Sequence, residues 1–125
     1  MGNNVLCVED NPDNMILLKR VLETRGYKLF LATTGSDAIA IAEKEDIDLV
    51  LLDINLPDID GYGVARQLRG SNKHALTQIP IIAITANALR GDAEKALDSG
   101  CDVYMAKPIN IHELWARVEG LLSSR

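Results

Sequence analysis

The run Leu49-Val50-Leu51-Leu52 is apolar at every position and ends on a carboxylate, Asp53, before Asn55 and Pro57 turn the chain into a loop. Aliphatic residues in an unbroken row leave no wet face, so the segment reads as a strand buried on both sides, as in the middle of a parallel sheet. Such a sheet needs crossover connections, and helices on its two faces supply the cover. Asp53 then stands at the carboxyl edge of the sheet. There the loops diverge and leave the crevice in which open α/β folds bind their ligands.

The rest of the chain fits that frame. Asn4-Val5-Leu6-Cys7-Val8 is a second apolar run, and it too ends on acids, Glu9 and Asp10. Pro12 suits a first helical turn, because its missing N–H would have no partner there, and Ile16, Leu17, Val21 and Leu22 are the expected buried face of a helix closed by Arg25-Gly26. Residues 28–33 read as the next strand, and Gly35-Ser36 opens a helix with Ala38, Ile39 and Ala42 on its apolar stripe. After the Asp53 strand, Pro57 to Gly61 is a loop, Val64, Ala65 and Leu68 mark a helix ending near Gly70, and residues 71–78 read as a polar connection. Residues 79–85 form the fourth strand, with Pro80 tolerable only at its start. A weaker helix is expected over about 88–99, its internal Gly91 costing about 1 kcal/mol of propensity against Ala. Residues 103–106 give a fifth strand ending at Lys107-Pro108. Asn110, with Glu113 three positions on, caps a last helix that lines Ile111, Leu114, Trp115, Val118, Leu121 and Leu122 along one face. The expected fold is therefore α/β: one domain over residues 1–125, a doubly wound five-stranded parallel sheet with right-handed crossovers.

With 18 acidic residues against 13 basic ones and a net charge of −5, the chain lacks the clustered cations that a sequence-independent hold on nucleic acid requires. No apolar run approaches the ~18 residues of a membrane span, and the first residues carry no basic flank, so no membrane insertion and a cytoplasmic location are expected. Gly2 does not make a myristoylation site, since Leu6 stands where the motif wants Ser or Thr. Cys7 and Cys101 form no CxxC pair and read as reduced, buried small hydrophobes. His74 and His112 are expected to face solvent. Gly61-x-Gly63 suggests a dinucleotide loop, but Arg66 holds the third glycine position and an acid-lined edge would repel a pyrophosphate.

In a parallel sheet every strand delivers its last residue to one edge, which here collects Glu9-Asp10, Asp53, Thr85 and Lys107. Three neighbouring carboxylates raise one another's pKa, a conflict that a bound cation resolves. Hard oxygen donors suit Mg²⁺, which keeps several waters and binds alongside phosphate. Thr85 can donate to a phosphoryl oxygen and Lys107 can pair with its charge. Together these groups can support phosphoryl transfer to the carboxylate itself.

In their order and placement these residues resemble the CheY-like receiver domains of two-component response regulators, along the whole chain. The resemblance implies the flavodoxin-like (βα)5 fold with strand order 2-1-3-4-5. It makes Asp53 the phosphoacceptor, Glu9-Asp10 the acidic pair, Thr85-Ala86 the switch hydroxyl with its small neighbour, and Lys107-Pro108 the lysine followed by a cis bond. Asp60-Gly61 falls at a family turn and Tyr104 at the switch aromatic. Asp10, Asp53 and the carbonyl of Asn55 would bind Mg²⁺ directly and Glu9 through water, while Asn55 and Asn87 would tune water access to the phosphate. The implied function is a switch rather than a turnover enzyme. It takes a phosphoryl group from a histidine kinase or histidine phosphotransfer protein and changes its affinity for a downstream protein target. Thr85 and Tyr104 would move together and alter the surface made by the 88–99 helix, the 103–106 strand and the last helix.

Two other functions share parts of the pattern. A haloacid-dehalogenase-type phosphatase also uses a strand-end Asp with Mg²⁺, but needs a second Asp two residues on, where this chain has Asn55, and a cap domain for which 125 residues leave no room. A pseudo-receiver that only docks would be expected to have lost one of the acids or Lys107, and all are present.

Overall fold

The structure, a computed structural model, describes residues 3–86 and 91–123. Strands β1 (Asn4–Val8), β2 (Lys28–Ala32), β3 (Leu49–Asp53), β4 (Ile81–Thr85) and β5 (Val103–Ala106) form one sheet in the order β2-β1-β3-β4-β5. Every neighbouring pair is parallel. The expected topology is thus present. Every residue of β3 and β4 is buried, which is why their sequences show no alternation.

Helices cover both faces. One core packs Leu6, Val8, Val50, Leu52, Ile81 and Ala83 against α2 (Gly35–Lys44), α3 (Gly61–Arg69) and Ala96 of α5 (Asp92–Asp98). The other packs Val5, Cys7, Leu49, Leu51, Ile82, Ile84 and Met105 against α1 (Pro12–Glu23) and α6 (Ile111–Ser123). Alternate residues of each strand feed opposite cores, as the pleat requires. Local capping fixes where the helices begin. Asn11 Oδ1 accepts from the backbone N–H groups of Asp13 and Asn14, Thr34 Oγ1 from Asp37, Asp60 Oδ1 from Gly63 and Asn110 Oδ1 from Glu113.

The structure differs from the sequence expectation at several places. In α1 the buried face is Met15, Leu18, Val21 and Leu22, whereas Ile16 and Leu17 are 51% and 41% exposed. The connection after α3 contains a short helix, α4 (His74–Gln78), anchored by the buried Leu76. Arg69 donates to the Leu76 carbonyl at 3.1 Å, and the Lys73 ammonium donates to the carbonyls of Ala42, Glu43 and Glu45 at the end of α2. Gly91 lies ahead of α5 rather than inside it. Its φ of +75° is a left-handed conformation that glycine adopts without strain. The expected helix start near Ala88, and Asn87, lie outside the described residues. β4 begins at Ile81, after Pro80, and β2 ends one residue short of Thr33. Both cysteines are free and buried, and both histidines are exposed. Among the described residues no helix is long and apolar enough to cross a membrane.

Candidate functional site

Parallel pairing brings the carboxyl ends of β1, β3, β4 and β5 to one edge. The β3–β4 register sets Asp53 opposite Ile84, and the Ile54 N–H donates to the Ile84 carbonyl at 3.0 Å. The Lys107 N–H donates to the Thr85 carbonyl at 2.8 Å, which holds the end of β5 against that of β4. Beyond it the Lys107–Pro108 bond is cis. Asp53 and Glu9 are each 1% exposed and Thr85 is also buried, whereas Asp10 and Asn55 reach solvent.

Glu9, Asp10 and Asp53 each present a carboxylate oxygen, and these atoms lie within 4.8 Å of one another. The Lys107 ammonium stands 3.2 Å from Asp53 Oδ2 and 3.4 Å from Glu9 Oε1. Asp53 Oδ1 accepts from the Asn55 N–H at 3.0 Å, and Glu9 Oε2 from the Asn11 N–H at 3.1 Å. Burial pushes the Glu9 carboxyl above its ordinary range and the neighbouring Asp53 carboxylate adds to the rise, while the Asn11 N–H and Lys107 oppose it. Partial burial works against the charge on Lys107, but Asp53 and Glu9 outweigh it and raise its pKa.

This donor set fits a small hard cation. Among the described residues Glu9 Oε1 is buried without a hydrogen bond, one ammonium faces a cluster of carboxylates, and the clustered side-chain ligand atoms are all oxygen. With Asp10 and Asn55 exposed, a cation held there would be open to water and to an incoming anion. Thr85 and Tyr104 share one face of the sheet, since Tyr104 pairs with Ala83 and Thr85 with Ala106. Tyr104 is partly buried against the α2–α3 core.

Two features escaped sequence reasoning. A groove of about 400 Å³, lined by Asn14, Leu17, Lys107, Pro108 and Ile109, runs from the site along α1. It explains why Leu17 is not buried: the α1 face that carries it borders the groove rather than the core. The second is Asp58, whose carboxylate crosses from the loop between β3 and α3 to the start of α2. Neither contact is local in sequence, so no motif spacing marks it.

Fold and site together define a doubly wound α/β domain with an acid cluster and one lysine at its carboxyl edge, arranged to hold a divalent cation next to an anion. Comparison with known proteins narrows this class. The family model of the response regulator receiver domain matches residues 5–119, so the chain belongs to that family. It is 38% identical over 111 residues to the polar-differentiation response regulator DivK of Brucella abortus, covering 89% of each chain. Among solved structures, the receiver domain of the sensor histidine kinase PA1611 of Pseudomonas aeruginosa, with a magnesium ion coordinated in its active site cleft, superposes with a TM-score of 0.90 at 37% identity, over 98% of this chain and 99% of that one. The receiver domain of Saccharomyces cerevisiae Ssk1, solved with the histidine phosphotransfer protein Ypd1, gives a TM-score of 0.88 at 32% identity over 96% and 88% of the two chains. The protein is accordingly a receiver domain of two-component signalling, a signalling domain.

Proposed function

We propose that Asp53 accepts a phosphoryl group from a phosphohistidine on a histidine kinase or histidine phosphotransfer protein, with Mg²⁺ held by Asp10, Asp53 and the Asn55 carbonyl directly and by Glu9 through water. The observation that carries this reading is the buried Asp53 carboxylate, set between the acid pair of β1 and the Lys107 ammonium. One Asp53 oxygen attacks phosphorus; the new O–P bond forms as the P–N bond breaks, and its electron pair returns to the imidazole nitrogen. Bound Mg²⁺ supplies the positive charge that lets a phosphoryl group approach this acidic edge. Lys107, now paired to Asp53, turns to the phosphoryl oxygens. Thr85 donates its hydroxyl to another of them.

The donor's docking face is the exposed α1 surface. Ile16 and Leu17 place apolar area beside the groove that leads to Lys107, and the Ssk1 receiver offers a precedent for engagement by a phosphotransfer protein. Phosphorylation at Asp53 then shifts Thr85 and Tyr104 and alters affinity for a downstream protein target, with residues 1–125 acting as one cytoplasmic receiver unit. Phosphorylation by a small phosphodonor tests the chemistry. Acid-labile uptake is expected to require Mg²⁺, to vanish in Asp53→Asn and to fall sharply in Asp10→Ala. Full uptake by Asp53→Asn at the parent rate refutes it.

A further inference from the structure

The loop from β3 to α3 carries Asn55, and one of the loop's own side chains, Asp58, which has no part in the chemistry, ties it to a neighbouring helix. Asp58 Oδ1 accepts from the Gly35 N–H at 2.7 Å, and Asp58 Oδ2 accepts from the Ser36 N–H at 3.0 Å and the Ser36 hydroxyl at 2.7 Å. The bonds from Ser36 and Gly35 hold this carboxyl well below the usual carboxylate range, so it stays ionised. Its target is the start of α2, where Ser36 lies 22 residues from Asp58 in sequence. α2 already has a local cap in Thr34, which takes the Asp37 N–H at 3.1 Å. Asp58 therefore adds something a local cap cannot, a tie between two segments.

Packing reinforces the tie. A Cβ on Gly35 would come within 2.9 Å of Val64 Cγ2 and 3.0 Å of Ile59 Cβ, so the loop rests on α2 with no side chain between them. At its other end the loop is bound to β3 through the Asn55 N–H on Asp53, and the Gly61 N–H on the Ile54 carbonyl at 2.8 Å joins the loop's two ends. The stretch that carries Asn55 is strung between Asp53 and Asp58.

We propose that Asp58 is a positioning residue: by anchoring the acceptor loop to the N-terminus of α2 it fixes the direction of the Asn55 carbonyl and so sets the Mg²⁺ affinity of the site. The inference rests on the proposed role of Asn55 as a backbone ligand. Apparent affinity scales with the fraction of molecules whose site is correctly formed, so a freed loop that presents the carbonyl about one time in ten raises Kd about tenfold. A purely structural role would instead lower thermal stability and leave the affinity of the folded protein alone.

The test is a Mg²⁺ titration of the full chain followed by backbone amide NMR shifts, with the thermal midpoint measured separately, for the parent, Asp58→Ala, Ser36→Ala and Asp10→Ala. Asp58→Ala is expected to raise Kd about tenfold, and Ser36→Ala, which retains two of the three bonds, about two- to threefold. A Kd within about twofold of the parent in Asp58→Ala, with only the midpoint lowered, overturns the proposal. Should Asp58→Ala fail to fold, an unchanged Kd in Ser36→Ala overturns it equally. Failure of the underlying site has a different signature: no Mg²⁺ response in the parent, or a Kd unaltered by Asp10→Ala.

Discussion

Replacing Lys107 by Met removes the one cation among the described residues that pairs with Asp53 and Glu9, while keeping a side chain of similar length. At an effective dielectric of about 20, each of its contacts, at 3.2 and 3.4 Å, contributes about 5 kcal/mol before desolvation is charged against it. Breaking a buried pair from one side costs about 3–5 kcal/mol, because a charge is left without compensation. The Lys107 side chain is 23% exposed, so water takes up part of the loss and about 2–3 kcal/mol is expected at pH 7.5 without Mg²⁺. For a chain of this length that is a fall of about 10 °C in Tm. The pH dependence has a definite sign. Glu9 already has a raised pKa, and losing Lys107 removes one of the influences that lowers it. The folded variant therefore binds a proton that the unfolded chain does not, in the window from the ordinary glutamate pKa of about 4.3 up to the raised value. Its deficit should be full above that window and shrink as the pH falls through it. Urea unfolding followed by circular dichroism across pH 4.5–7.5 measures this. A variant within about 0.5 kcal/mol of the parent at pH 7.5 would show that Lys107 does not compensate the acid pair.

Three further outcomes are expected. Burial pushes the thiol of Cys7 up to about 12 and that of Cys101 up to about 11, so neither should react with a disulfide reagent at pH 8 until the protein unfolds, and rapid native-state reaction would contradict their packing. Thr85→Ala should still be phosphorylated at Asp53 yet lose the phosphorylation-dependent gain in partner affinity; an unaltered gain eliminates the Thr85–Tyr104 coupling. Leu17→Asp should slow transfer from a phosphohistidine protein about tenfold while leaving uptake from a small phosphodonor unchanged. Equal loss with both donors would assign the effect to the site rather than to docking.

The sheet was legible in the sequence because its central strands are buried on both faces and ordinary parallel pairing brings their ends together. Asp53, Glu9, Asp10, Thr85 and Lys107 could be collected without any tertiary information. The orientation of α1 could not be read in the same way. Met15 through Leu18 are all apolar, so helical periodicity allows more than one buried stripe, and packing on β1 and β3 selects Met15 and Leu18 over Ile16 and Leu17. α4 offers a single buried apolar side chain in a polar stretch and is fixed by Arg69 and Lys73 from outside. Gly91 reads equally as a flaw within a helix or as the left-handed residue before one, and only its φ decides. Asp58 belongs to an unremarkable turn sequence. Its importance comes from a partner that the fold, not the chain, brings near.

The central claim is that Asp53 carries the phosphoryl group, and chemical trapping tests it most directly. The protein is phosphorylated by a small phosphodonor with Mg²⁺, the acyl phosphate is reduced with borohydride, which converts the modified aspartate to homoserine, and the product is mapped by peptide mass spectrometry. Conversion is expected at Asp53, with Asp10, Asp58 and Asp60 unmodified and no signal when Mg²⁺ is chelated. Conversion at another aspartate with Asp53 intact would contradict the account.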